Sequence, residues 1–138
     1  VRVVIDTNIL VSFAIRPNPT FEALFDHITL HGKALVSDAT ITELCDVLSR
    51  EKFRKYIPFD QSIDYIEWYL KLSERVDVTE QVLACRDPRD DKFLSLAVSG
   101  KADYIIAGDH DLVDMQEFAG IQIYSPAVFR RLFISLLQ

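Results

Sequence analysis

The chain has 138 residues, 49% of them hydrophobic, with four Gly and five Pro. That is enough for one self-supporting core and excludes disorder, collagen-like repeats and low complexity. Fifteen Lys and Arg against twenty-one Asp and Glu give a formal charge of −6, which argues against broad nonspecific binding to polyanions, although acids gathered round a metal would be neutralised locally. Two cysteines, Cys45 and Cys85, fall short of a disulfide scaffold, and no apolar run approaches the ~18 residues of a membrane span. A soluble, cytoplasmic protein with a single domain over residues 1–138 is expected.

Arg2-Val3-Val4-Ile5 reads as a short buried strand that breaks at Asp6-Thr7-Asn8 and passes into a helix over Ile9 to Ile15. After the proline loop 16–20, a helix carries Phe21, Leu24, Phe25 and Ile28 on one face and stops at Gly32. Ala34-Leu35-Val36 is a second strand. Ser37 or Asp38 caps the next helix, whose apolar stripe is Ile41, Leu44, Cys45 and Leu48, so Cys45 is expected in the core. A helix follows over about Asp60 to Glu74, then a weak third strand at Val76-Asp77-Val78. The loop Cys85 to Arg89 leads into a helix from Asp90 or Asp91 to Ser99, and Tyr104 to Ala107 and Ile121 to Tyr124 are the fourth and fifth strands. Ser125-Pro126 supplies a cap and a first-turn proline for a C-terminal helix.

Strands alternating with helices imply a parallel α/β sheet covered on both faces. In such sheets the functional crevice lies beyond the carboxyl ends of the strands, at the point where the winding direction reverses. Asp6 follows the first strand directly and Asp109 follows the fourth after Gly108. If those strands are neighbours, ~4.8 Å apart, the two carboxylates can share a divalent ion. Asp90, Asp91 and Glu43 offer further oxygens, and a set without Cys or His suits Mg²⁺ or Mn²⁺ rather than zinc. Each acid has a structural alternative: a turn or cap for Asp6 and Asp109, a helix start for Asp90 and Asp91, and a solvent-facing side chain for Glu43, which lies off its helix's apolar stripe.

The ordered segments Ile5-Asp6-Thr7-Asn8-Ile9-Leu10, Ser37 with Thr42-Glu43-Leu44, Asp91-Lys92-Phe93-Leu94-Ser95-Leu96-Ala97, and Ile105-Ile106-Ala107-Gly108-Asp109-His110-Asp111 resemble the motifs of the PIN-domain ribonucleases. The run Arg86 to Phe93 resembles the branch formed by toxins of bacterial and archaeal toxin–antitoxin pairs. The resemblance implies a three-layer α/β/α fold with a five-stranded parallel sheet in the order 3-2-1-4-5. It implies that Asp6, Glu43, Asp91 and Asp109 hold one or two Mg²⁺ or Mn²⁺ ions for hydrolysis of RNA phosphodiesters. Thr7, Asn8 and Ser37 would support them, with Asp111 outside the first ring of ligands. Asp91 is preferred as the ligand because the Leu94/Ala97 spacing aligns it, with Asp90 as the alternative. Gly108 stands where the family often has a hydroxyl residue.

Arg50, Lys52, Arg54 and Lys55, interleaved with Phe53 and Tyr56, form the most basic stretch and suit single-stranded RNA; a solvated helix end explains them equally. Arg86 and Arg89 lie nearer the acids. His27 and His31 are one helical turn apart but lack further ligands, so a surface pair is expected, and His110 between two acids is a possible proton carrier. On the helix at 60–74, Ile63, Ile66, Tyr69 and Leu70 form one stripe and Tyr65, Trp68 and Leu72 a second, which needs either a neighbouring helix or a protein partner. The toxin resemblance implies a homodimer and an antitoxin as that partner. The rival readings are a catalytically silent member of the fold that only binds RNA or protein, and a dehalogenase-like phosphoryl-transfer enzyme, which would want a second Asp at Asn8.

Overall fold

Strand β1 (Arg2–Ile5) is apolar on both faces because it lies at the centre of a sheet covered on both sides. Val3 and Ile5 join one core, and Val4 joins the other. The same alternation holds in β2 (Lys33–Val36), where Ala34 and Val36 face the first core and Leu35 the second. The computed structural model describes residues 1–134, so 135–138 of the expected single domain lie outside the described residues.

Helices α1 (Thr7–Ile15), α2 (Pro19–His31), α3 (Asp38–Leu48) and α4 (Phe59–Leu72) pack on the first face. Helix α5 (Asp91–Ser99) and the short α6 (His110–Val113) cover the second through Phe93, Leu94, Leu96, Ala97 and Leu112. The other strands are β3 (Ser73–Arg75), β4 (Tyr104–Ile106), β5 (Glu117–Phe118) and β6 (Ile121–Tyr124). They form a six-stranded sheet in the order β3-β2-β1-β4-β6-β5. The five expected parallel strands therefore stand in the expected order, and β1 and β4 are neighbours, with Ile5 opposite Ile106.

Three elements differ from the sequence reading. An antiparallel strand, β5, is added at one edge; its hairpin turns on Ala119 (φ 52°) and Gly120 (φ 81°), left-handed at both central positions as two-residue hairpins require. The third strand is Ser73–Arg75 rather than 76–78. An edge strand tolerates this polar sequence because its side chains pair outward, Glu74 with Arg2 and Arg75 with Asp38. Val76 instead packs against the second core. Cys45 is exposed rather than buried, so the core stripe of α3 is carried by Leu44 and Leu48. The C-terminal helix α7 (Pro126–Phe129), capped by Ser125, runs into a wider turn over Arg130–Ile134. Among the described residues, no helix is long and apolar enough to cross a membrane.

Candidate active site

The chain leaves β1 directly into α1, and Asp6 caps that helix by accepting a hydrogen bond from Ile9 N at 2.9 Å. Its other oxygen accepts from Gly108 N at 2.9 Å and Asp109 N at 3.4 Å, which ties the ends of β1 and β4 together. The carboxyl is 2% exposed. Burial, opposed by these N–H groups and reinforced by the Asp109 charge, pushes its pKa up to about 6. A Cβ added at Gly108 would meet Ile9 Cδ1 at 3.2 Å, so a hydroxyl residue there requires Ile9 to yield.

Asp109 caps α6 through Asp111 N at 2.8 Å. Asp90 ends the 3₁₀ turn Pro88–Asp90 and is 9% exposed, and its Oδ2 is buried with no hydrogen-bond partner. Burial first, then the Asp109 charge and a hydrogen bond with it, and then the Asp87 and Asp111 charges, push the Asp90 pKa up to about 7. One oxygen each from Asp87, Asp90 and Asp111 lie within 4.8 Å of one another. An orphaned buried carboxylate oxygen beside other carboxylates calls for a proton, a water or a cation, and the surrounding negative charge favours a proton or a cation. An all-oxygen donor set of this kind fits a hard divalent ion such as Mg²⁺ or Mn²⁺.

Asp87, Asp90 and Asp109 line a cleft of about 490 Å³ at the carboxyl ends of the strands, with Thr7, Asn8, Glu43, Arg50, Lys52, Phe53 and Arg89 also on its walls; Asp6 and Asp111 are not among its lining residues. Glu43 stands across the cleft with both oxygens engaged: Thr7 Oγ1 donates to Oε2 at 2.5 Å and Lys92 Nζ to Oε1 at 3.0 Å. Asp91 does not line the cleft. Its Oδ1 accepts from Cys85 N at 2.7 Å and Ala84 N at 3.1 Å, and these bonds hold its pKa below the ordinary value. Asp90, its neighbour in the chain, is among the lining residues. Ser37 also stands apart. It caps α3 in a reciprocal box with Thr40 and lines a separate hollow of about 370 Å³.

The cations divide too. Arg50 and Lys52 reach the cleft wall, whereas Arg54 turns inward to the Leu48 carbonyl and stacks on Phe59, and Lys55 sits over Tyr56. Arg86 pairs with Asp111 and Arg89 with Asp87, so both arginines are held at the acid cluster. His27 and His31 form a ring pair at 4.7 Å on α2, with His27 against Phe129. His110 is exposed at the start of α6. Two residues were given no role by sequence reasoning: Asp87, on the cleft wall, and Lys92, which lines the hollow beside Ser37 and bonds to Glu43. The crowding of acids in one loop was the available signal for Asp87; no local spacing links Lys92 to Glu43.

The family model described as PIN domain matches residues 2–111. The uncharacterized protein MJ1680 of Methanocaldococcus jannaschii is 30% identical over 120 residues, covering 85% of this chain and 76% of that protein. The fold is similar to VapBC2 from Rickettsia felis, a structure bound to a promoter DNA fragment, with a TM-score of 0.67 at 12% identity over 91% of this chain and 98% of that one. It is similar to PAE2754 from Pyrobaculum aerophilum, with a TM-score of 0.65 at 18% identity over 96% and 89%. It is also similar to Mycobacterium tuberculosis VapC20, a sarcin–ricin-loop-cleaving toxin, with a TM-score of 0.53 at 9% identity over 87% and 98%. The chain belongs to the PIN-domain family of nucleases.

Proposed function

We propose that this PIN domain is a divalent-metal-dependent ribonuclease acting as the toxin of a toxin–antitoxin pair. The observation that carries the metal dependence is the buried, unpartnered Asp90 Oδ2 among Asp87, Asp109 and Asp111. Asp6, Asp90 and Asp109 would hold the ion, with Asp90 in the role that the motif alignment gave to Asp91. A bound divalent ion supplies Lewis-acid polarisation of the phosphodiester and stabilises the charge that develops on it.

The chain's own residues do the rest. The Asp6 carboxylate is fixed on both oxygens, Oδ1 by Ile9 N in the first turn of α1 and Oδ2 by Gly108 N just past β4, so its orientation is set by the backbone. Exposed Asn8 presents its amide to the cleft, while Arg50 and Lys52 receive backbone phosphates with Phe53 as a stacking face. That combination of cations and an aromatic ring suits a single strand, and VapC20, which shares the fold, is a toxin that cleaves RNA at the sarcin–ricin loop.

For partners, the second stripe of α4 supports an apolar docking face. Trp68 is 38% exposed and, with Phe13, Ala14, Pro17 and Tyr65, lines a shallow hollow of about 220 Å³. Its ring also packs edge-on against Phe13 and Phe25, and Tyr65 OH donates to Leu10 O at 2.6 Å, so half of the stripe is covered within the molecule. The uncovered half would take an antitoxin segment, with a homodimer as the other expected assembly. The decisive test of the activity is cleavage of a single-stranded RNA in Mg²⁺ or Mn²⁺ against the same reaction in chelator, using the parent and Asp90→Asn. Cleavage that survives chelator, or is equal in Asp90→Asn, overturns the reading.

A further inference from the structure

Two carboxylate groups face each other across the cleft, and they differ in what already neutralises them. On one side, Asp6 and Asp109 accept backbone N–H bonds and have no ammonium or guanidinium of their own, and one buried Asp90 oxygen has no partner at all. On the other, Glu43 carries a formal charge that Lys92 cancels at 3.0 Å, with the Thr7 hydroxyl on its second oxygen at 2.5 Å. Both Glu43 and Lys92 are about three-quarters buried in their side chains, at 27% and 24% exposure. The ammonium is therefore held in place by packing rather than waving in solvent, and its screening is correspondingly weak.

We propose that Lys92 is a built-in cation occupying the position beside Glu43 that a second divalent ion would take, so that each chain binds one ion, on the aspartate wall. A divalent ion approaching Glu43 meets a positive charge already at hydrogen-bond distance and two oxygens already engaged; it must displace a donor and face like-charge repulsion. The aspartate wall offers the reverse, excess negative charge and a free oxygen. Lys92 thus acts as a positioning residue. It fixes Glu43 through charge and sets how many ions the cleft accepts, without itself touching the substrate.

This rests on the metal-dependent reading above, and the two can fail separately. The measurement is Mn²⁺ stoichiometry per chain, by titration calorimetry and by the loss of the free-ion electron spin resonance signal, on folded protein checked by circular dichroism. The parent and Lys92→Arg should each bind one ion. Lys92→Met should bind two, the second more weakly, and Lys92→Met/Glu43→Gln should return to one. One ion in both the parent and Lys92→Met overturns the role of Lys92 and leaves the metal-dependent reading standing. Two ions in the parent overturn it as well. No ion in any variant overturns the metal-dependent reading and the inference together. If Lys92→Met fails to fold, Lys92→Gln, which keeps a donor but no charge, carries the same expectation of two ions.

Discussion

The acids at the two ends of the sheet live under different rules. At the amino ends of the strands, Glu74 is gripped by both terminal nitrogens of Arg2, at 2.6 and 3.2 Å, and Asp103 accepts from Arg2 N at 2.8 Å. The Arg2 partner holds the Glu74 pKa below its ordinary value. At the carboxyl ends, Asp6 and Asp90 are buried among other acids, and their pKa values are pushed up to about 6 and about 7. The first arrangement is complete as folded and ties β1 to β3, across β2, and to the start of β4. The second is left short of positive charge, and a native fold retains such a deficit where function requires it.

The sharpest way to break that contrast is to neutralise one acid at each end. Asp6→Asn and Asp90→Asn should each lower RNA cleavage by on the order of 100-fold or more, since even outer partners of a metal are worth ~10–100-fold. Glu74→Gln should leave the cleavage rate unchanged. Equal losses at both ends would mean that the variants act through folding alone.

The same contrast should appear in the pH dependence of stability without metal. Asp6 and Asp90 hold protons in the folded chain up to about pH 6 and about pH 7, whereas unfolded they release them near the ordinary 3.8. The folded state therefore binds more protons between those limits, and stability falls as pH rises from about 4 to about 7. The lowered acids, Asp38, Glu74, Asp87 and Asp91, act in the opposite direction, but only below their ordinary values. Thermal melts in chelator should thus show a falling melting temperature across this window. Added Mn²⁺ should raise the melting temperature more at pH 8 than at pH 5, and a metal effect independent of pH would contradict the assignment.

A smaller effect separates neighbours in the chain. Asp91→Ala leaves the Ala84 and Cys85 N–H groups without their acceptor. Hydrogen bonds to a charged group are worth ~1.5–3 kcal/mol, and water can replace part of that at the exposed Ala84 and half-buried Cys85, so the melting temperature should drop modestly while metal stoichiometry stays the same. Loss of metal binding with full stability would return the ligand role to Asp91.

Much of this was legible in the sequence, and the exceptions have physical causes. Asp6 and Asp109 could be paired because apolar strands precede both and the family resemblance implied that those strands are neighbours, as they are. The Leu94/Ala97 spacing favoured Asp91 over Asp90, but that spacing reads the helix and not the 3₁₀ turn that enters it, where Asp90 lies. By its own spacing Glu43 read as a solvent residue, and only the family resemblance drew it to the site, since its partners Thr7 and Lys92 come from distant parts of the chain. Strand β5 escaped because Ala119, unlike Asn or Gly, does not advertise a left-handed turn.

The rule that separates the acids also separates the cations, and here the expected effect is smallest. Arg50, Lys52, Arg54 and Lys55 are equivalent in sequence, yet only Arg50 and Lys52 line the cleft. Arg54 gives a guanidinium N–H to the Leu48 carbonyl at the end of α3 and stacks on Phe59, and Lys55 rests over Tyr56. A cation that contacts single-stranded phosphate releases a counterion, worth ~0.7 in the slope of log affinity against log salt. Lys52→Ala, in an inactive Asp6→Asn background, should therefore weaken RNA binding a few-fold and flatten the slope by about that amount. Lys55→Ala should leave both unchanged. Arg54→Ala should lower the melting temperature through its lost carbonyl contact, again with the slope intact. Equal slopes for Lys52→Ala and Lys55→Ala would mean that RNA follows the whole basic stretch rather than the cleft wall.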